Sequence, residues 1–208
     1  MLNDCSIMVS EELILERTFE LLLLKGFDAV SISDIQQATG LSRGLLYHYY
    51  KNKEDLFIQV TEKYFIRIFD FEVRRTANHT VFEFVDFMCK RFKKIARIVS
   101  DIVGKVSKNR NVSMLNYHFL FYQVMQRDAI FRNKYQATIE KEKIGWESAL
   151  RNSVSKQEIK QDTDIEVSAM QLFTLTDGIW FQSIFSTDGN SIVQNLEKAL
   201  LHYIFLLK

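Results

Sequence analysis

Apolar and polar positions along the chain repeat at the helical interval almost throughout. Between Glu11 and Lys25, the residues Leu15, Phe19 and Leu22 form one stripe. Ser10 serves as cap, Glu11 and Glu12 suit the positive helix end, and Gly26 is the stop. Residues 1–9 read as a loose arm. Ser33 with Gln36 reads as a capping box, which puts Ile35 and Ala38 on a buried face. Gly40 falls where the chain turns sharply at positive φ. Ser42 caps a second short helix with Leu45, Leu46 and Tyr49 on its inner side. Asn52 caps a longer helix from Lys53 to about Thr76, with Leu56, Val60, Tyr64 and Ile68 in phase. At 1.5 Å per residue its length is about 36 Å.

The same pattern continues to the end. Thr80 and Glu83 open a helix with Phe84, Met88, Ile95, Val99 and Ile102 on one side, stopped by Gly104. An aromatic stretch runs from Val112 to Gln126. Asp128 caps a helix to about Ser153, with Phe131, Tyr135, Ile139, Trp146 and Leu150 inward. Thr163 with Glu166 boxes the next helix, which carries Met170, Phe173, Asp177, Trp180, Phe181 and Ile184. Asp188-Gly189 is a turn, and Ser191 with Gln194 opens the last helix, striped by Ile192, Leu196, Ala199, Leu200, Tyr203 and Leu207. No strand pattern, repeat or low-complexity segment interrupts this. The reading is all-α, about nine helices.

Composition sharpens the picture in three places. There is no proline and glycine occurs only seven times, which favours long helices. Apolar residues make up 47% of 208, enough for a real core. The net charge is +1, and residues 1–53 carry five Lys/Arg against seven Asp/Glu, so any attraction for nucleic acid must come from a local patch. Cys5 and Cys89 form no metal or redox motif and read as free thiols of a reducing compartment. No signal-peptide order and no apolar run of membrane-spanning length occurs, so the cytoplasm is the default.

Two short helices around Gly40 make a helix-turn-helix, whose second helix is built to lie in a DNA major groove. Its outer side carries Ser42, Arg43, Gly44, Tyr47 and His48. Lys51 and Lys53 follow at the start of the next helix, where lysines and amides suit a phosphate. An ordinary helical hairpin is the alternative. A second basic cluster, Lys90, Arg91, Lys93, Lys94, Arg97, Lys105, Lys108 and Arg110, is a rival nucleic-acid surface, but Lys90, Lys93, Lys94 and Arg97 sit opposite the apolar stripe and read as a solvated face.

The run Lys25-Gly26-Phe27-Asp28-Ala29-Val30, then Ile35…Gly40-Leu41-Ser42-Arg43-Gly44, Leu46-Tyr47-His48-Tyr49-Tyr50 and Lys51-Asn52-Lys53-Glu54-Asp55-Leu56 closely resembles the DNA-reading segment of the TetR (tetracycline repressor) family of transcriptional regulators. About thirty residues match in order and spacing; the rest matches in layout. The resemblance implies a three-helix DNA-binding domain over 1–53 and a helical ligand-binding and dimerisation domain over 54–208. It departs at the start of the first helix, where the family's usual basic residue is replaced by Glu11 or Glu12.

On this reading Ser42, Arg43, Gly44, Tyr47 and His48 face the bases. Ser33, Tyr49, Lys51 and Lys53 position the phosphate backbone of a double-stranded operator, with an inward-packed Tyr49 as the alternative. Arg43 is the base-reading candidate, with a phosphate contact as the alternative. The last two helices carry wide apolar surfaces for a homodimer, through Phe173, Trp180, Phe181, Leu196, Leu200 and Tyr203. A small-molecule effector, apolar or aromatic, is expected in the second domain, near Tyr64, Met88, Phe92, Tyr117, His118, Phe121, Tyr122, Trp146 and Phe173. Core packing is the competing role for each of these.

The histidines His48, His79, His118 and His202 have no ligand spacing, so no metal is expected. No cofactor loop or nucleophile elbow is present, and the chain reads as no enzyme. A regulator is therefore weighed against an interaction module that has lost DNA binding, and against a helical-bundle carrier or enzyme.

Overall fold

With no proline to break them, the helices run long, and all regular structure among the described residues is helical. The computed structural model describes residues 2–107, 113–185 and 189–208. The helices are α1 (Leu2–Lys25), α2 (Ile32–Thr39), α3 (Arg43–Tyr49), α4 (Lys53–Thr61), α5 (Val81–Ser107), α6 (Met114–Arg127), α7 (Ala129–Ser155), α8 (Ile165–Gln182) and α9 (Gly189–Leu206). Beyond Thr61, α4 continues through a π turn, Glu62–Ile66, into a last turn, Arg67–Phe69. Two compact units result. One holds residues 1–69 and 102–134, the other 70–101 and 135–208.

The first unit is built on α1. Ile14, Leu15, Phe19, Leu22 and Leu23 face inward, against Val30, Ile35 and Leu46 from the short helices and Leu56, Phe57 and Val60 from α4. Phe19 stacks on Tyr64 at 4.1 Å between ring centres. Phe65 meets Tyr117, Phe121 and Phe131 within 6.0 Å. The π turn takes a carbonyl out of the regular i→i+4 ladder. The buried Tyr117 hydroxyl donates to the Tyr64 carbonyl there at 2.8 Å.

The second unit packs Phe84, Met88 and Phe92 of α5 against Trp146, Ala149 and Leu150 of α7, Leu172 of α8, and Leu196, Leu200 and Ile204 of α9. Gly145 lies so near Phe84 that a Cβ there would meet its ring at 2.5 Å. Thr80 and Glu83 form the expected box, and the Val81 amide donates to Ser153 Oγ at 2.8 Å. Arg91 and Glu142 form a buried ion pair at 3.4 Å. Of the basic face, Lys90, Lys93, Lys94 and Arg97 are exposed, while Lys108 and Arg110 lie outside the described residues.

Several expectations are corrected. α1 reaches back to Leu2, so residues 2–9 are no loose arm and Ser10 is interior; nothing in that stretch breaks a helix. The cap of α2 is Ser31 with Asp34, not Ser33 with Gln36. The Asp34 carboxylate accepts the Ser31 amide at 2.8 Å and is also held by Lys25 at 2.5 Å. Ala38 is exposed. α4 does not reach Thr76: it ends at Phe69, and a separate 3-10 turn spans Val73–Thr76. Gly104 is inside α5, since helix interiors tolerate a single glycine. Asp164, not Thr163, caps α8, accepting the Val167 amide at 3.0 Å. The last helix starts at Gly189 rather than Ser191. Asp188 and Val112 lie outside the described residues.

Candidate nucleic-acid interface

The short helices stand because their ends are sealed locally. Gly40 takes φ 72°, where a side chain is strained, and its amide donates to the Gln36 carbonyl at 2.8 Å. The Thr39 hydroxyl donates to the Ile35 carbonyl at 2.8 Å and accepts the Leu41 amide at 3.3 Å. Ser42 Oγ accepts the Leu45 amide at 3.2 Å, opening α3. Ile35 and Leu46 are wholly buried, which fixes the rotation of both helices.

That rotation decides what faces outward. Ser42, Arg43, Gly44, Tyr47 and His48 are all exposed on α3. The Arg43 guanidinium lies 5.6 Å over the Tyr47 ring, so two of these groups already support each other. Tyr49 is half-buried, and its ring edge meets His48 at 5.4 Å. Ser33 is exposed in the first turn of α2.

The start of α4 is more occupied than its sequence implies. The Asp55 carboxylate accepts the Lys51 amide at 2.9 Å, and Asn52 Oδ1 accepts the Asp55 amide at 2.7 Å. Two of the amides expected to meet a phosphate are therefore engaged. Lys51 is exposed, and the Lys53 ammonium sits 5.0 Å over the Phe57 ring. Two acids of α1 are likewise engaged: Glu12 with Lys63, and Glu16 with Lys105 at 3.6 Å.

The proposed effector residues divide between the units. Tyr64, Tyr117, His118, Phe121 and Tyr122 belong to the first, and Met88, Phe92, Trp146 and Phe173 to the second. Tyr64 lines a cavity of about 220 Å³ with Glu12, Glu16, Phe19, Lys63 and Lys105. Tyr117 and His118 are buried, and Tyr122 is exposed. His118 Nδ1 donates to the Met114 carbonyl at 2.9 Å, while burial holds the imidazole below its ordinary value. In the second unit Met88, Phe92 and Trp146 are core side chains, and Phe173 lies under the Lys143 ammonium at 5.4 Å. The sequence reading missed the polar group beside them, Arg91 with Glu142. Burial pushes the Glu142 carboxyl up and the Arg91 guanidinium down.

Of the interface candidates, Leu196 and Leu200 are wholly buried in the chain's own core and out of reach of a second copy. Phe173, Trp180 and Tyr203 are half-buried, and Phe181 is exposed. The open apolar surface of α8, α9 and the turn between them is carried by Val167, Met170, Phe181, Phe185, Leu201 and Phe205.

Among the described residues, no helix is long and apolar enough to cross a membrane, and no group of three or more His, Cys, Asp or Glu is placed to hold a metal.

Residues 14–60 match the family model described as bacterial regulatory proteins, tetR family. Solved structures resemble the whole chain. A TetR transcriptional regulator from Chloroflexus aurantiacus has a TM-score of 0.63 at 17% identity, with 96% of each chain covered. A TetR transcription regulator from Haloarcula marismortui has a TM-score of 0.60 at 16% identity, covering 96% of this chain and 98% of that one. The reduced form of NemR from E. coli has a TM-score of 0.56 at 17% identity, covering 96% and 98%. Residues 14–60 are thus similar to the tetR family of bacterial regulatory proteins, and the chain as a whole has the fold of solved TetR transcriptional regulators.

Proposed function

We propose that this chain is a cytoplasmic transcriptional regulator that binds a palindromic DNA operator as a homodimer and responds to a small apolar or aromatic effector. The observation that carries the reading is the continuous outer face of α3. Four side chains suited to hydrogen bonding stand together around Gly44, which permits close approach, on a helix whose rotation is locked by Leu46. Residues 1–53 would read the operator, and 54–208 would sense the effector and dimerise. In the major groove Arg43 reads a guanine through two hydrogen bonds, and Ser42, Gly44, Tyr47 and His48 complete the base-facing surface. Ser33, Tyr49, Lys51 and Lys53 hold the phosphates.

Arg43→Ala is expected to weaken operator binding by about 1–3 kcal/mol and to relax preference at one base pair. Uniform weakening across operator variants would assign Arg43 to a phosphate instead. Lys51→Ala with Lys53→Ala should lower affinity for every duplex and flatten its salt dependence. Gel retardation on the duplex upstream of the chain's own coding sequence measures both. Unchanged binding in the double variant rejects the docking.

Dimerisation would use the open apolar surface of α8 and α9 near Phe181, with Phe173, Trp180 and Tyr203 at its edge. Sedimentation should give a dimer at micromolar concentration, shifted toward monomer by Phe181→Glu. A monomeric wild-type chain is incompatible with this arrangement. The effector must bind one of two conformations more tightly, and that difference, typically about 1–3 kcal/mol, is what it transmits to the operator.

A further inference from the structure

At Gly26 the chain of α1 turns away at φ 78°, and one helical hydrogen bond is lost there. The Leu23 carbonyl would ordinarily take the amide of Phe27, four residues on. Both halves of that lost bond are completed by α6. The Asn116 side-chain nitrogen donates to the Leu23 carbonyl at 3.2 Å. Gln123 Oε1 accepts the Phe27 amide at 3.3 Å. One turn further along α6, Arg127 forms a two-pronged ion pair with Asp28, its guanidinium 5.6 Å over the Phe27 ring. Asn116, Gln123 and Arg127 are spaced by seven and four residues, so they share one face of the helix. Beyond the turn, Lys25 holds Asp34, and Asp34 closes the cap of α2 with Ser31.

We infer that α6 aims the reading helices: Asn116, Gln123 and Arg127 are positioning residues that fix how the chain leaves α1, and through that turn where α2 and α3 stand. None of the three belongs to the outer face of α3. The turn they hold joins a long helix to a short one through a glycine at positive φ, and it is held besides by the Gly26 amide donating to the Leu22 carbonyl at 2.9 Å and by Lys25 on Asp34. The consequence for DNA rests on the reading that α3 binds an operator; the clamp itself does not need DNA to be tested.

Gln123→Leu removes the acceptor, and Gln123→Glu keeps an acceptor oxygen in the same place. Amide hydrogen exchange is measured on both variants, together with retardation of the duplex upstream of the chain's coding sequence. In the leucine variant the amides of Phe27 and of α2 and α3 should exchange faster while those around Phe19 stay protected. Duplex affinity should fall by about two- to tenfold, the equivalent of one net hydrogen bond. The salt slope should stay unchanged, since no phosphate contact is lost. The glutamate variant should restore both. Asp28→Ala, at an exposed carboxylate, removes the second attachment and should act in the same direction if the leucine variant fails to fold. Unchanged exchange at Phe27, α2 and α3 overturns the inference. So does unchanged affinity when the wild-type chain binds the duplex. A wild-type chain that does not bind the duplex counts against the proposed function, and the exchange result still decides the clamp.

Discussion

Arg91→Met should destabilise the second unit by about 3–5 kcal/mol, because it leaves a carboxylate buried without its counter-charge. The Arg91 and Glu142 side chains are 13% and 11% exposed, and their closest approach is a long 3.4 Å. Burial pushes both groups toward their neutral forms, against the attraction between them. Desolvation therefore outweighs Coulomb energy, and the pair is a cost the fold carries. Removing both charges, as Arg91→Met with Glu142→Leu, should restore stability or exceed the wild type by about 1–4 kcal/mol. The single variant should also depend on pH. A carboxyl whose folded value is raised contributes stability that is fully present below its ordinary 4.5 and lost as pH rises through the folded value. The defect in Arg91→Met is thus greatest at neutral pH and shrinks toward pH 4.5. Urea denaturation across that range measures it. A double variant no more stable than the single one would refute this account.

Gly145→Ala should destabilise despite alanine's better helix propensity. A Cβ at this position lies 2.5 Å from Phe84 Cζ and 2.9 Å from Cε2. Phe84 has nowhere to retreat: it is wholly buried, edge-on to Trp146 at 4.6 Å, with Phe87 at 5.7 Å. Propensity favours the alanine by about 1 kcal/mol. Overpacking a tight core costs about 1–3 kcal/mol or more, and the clash here is at the severe end. Gly145→Val should be worse still. Phe84→Leu withdraws the offending ring atoms, so adding it to Gly145→Ala should recover part of the loss. The denaturation midpoint should fall with an unchanged slope. A more stable Gly145→Ala would mean that the helices separate to admit the methyl group.

The helix ends were legible where a side-chain oxygen meets an amide two or three residues along. Ser42, Asn52, Asp128 and the Thr80–Glu83 box all lie where the sequence puts them. The α2 cap was misread because Ser31 and Ser33 are equivalent locally. The choice is made by Lys25, nine residues away, which holds Asp34 in place. The outer face of α3 was legible because one buried residue, Leu46, fixes the rotation of a seven-residue helix. A stripe records that it is covered, not by what, so nothing local tells that Leu196 and Leu200 face the chain's own core. Glu142 was passed over although it stands four residues before Trp146 and seven after Tyr135, in phase with the apolar stripe. A charge in that register belongs to the interior, and the sequence carried the signal. The contacts of Asn116 and Gln123 with residues 23–27 join segments some 93 and 96 residues apart, and no local pattern encodes them.

The π turn in α4 amounts to a phase slip. Leu56, Val60 and Tyr64 keep one four-residue count, Phe57, Thr61 and Phe65 keep the next, and both stay buried as far as the π turn. Ile68, which the unbroken count would bury, is only half-covered. The buried stripe thus stops within the π turn, where one continuing to Ile68 was expected. One residue of slack is stored between Lys53 and Phe69, pinned by the Tyr117 hydroxyl on the Tyr64 carbonyl. Moving such an offset along the rod rotates only the residues it passes, so the two ends keep their relative twist and their spacing.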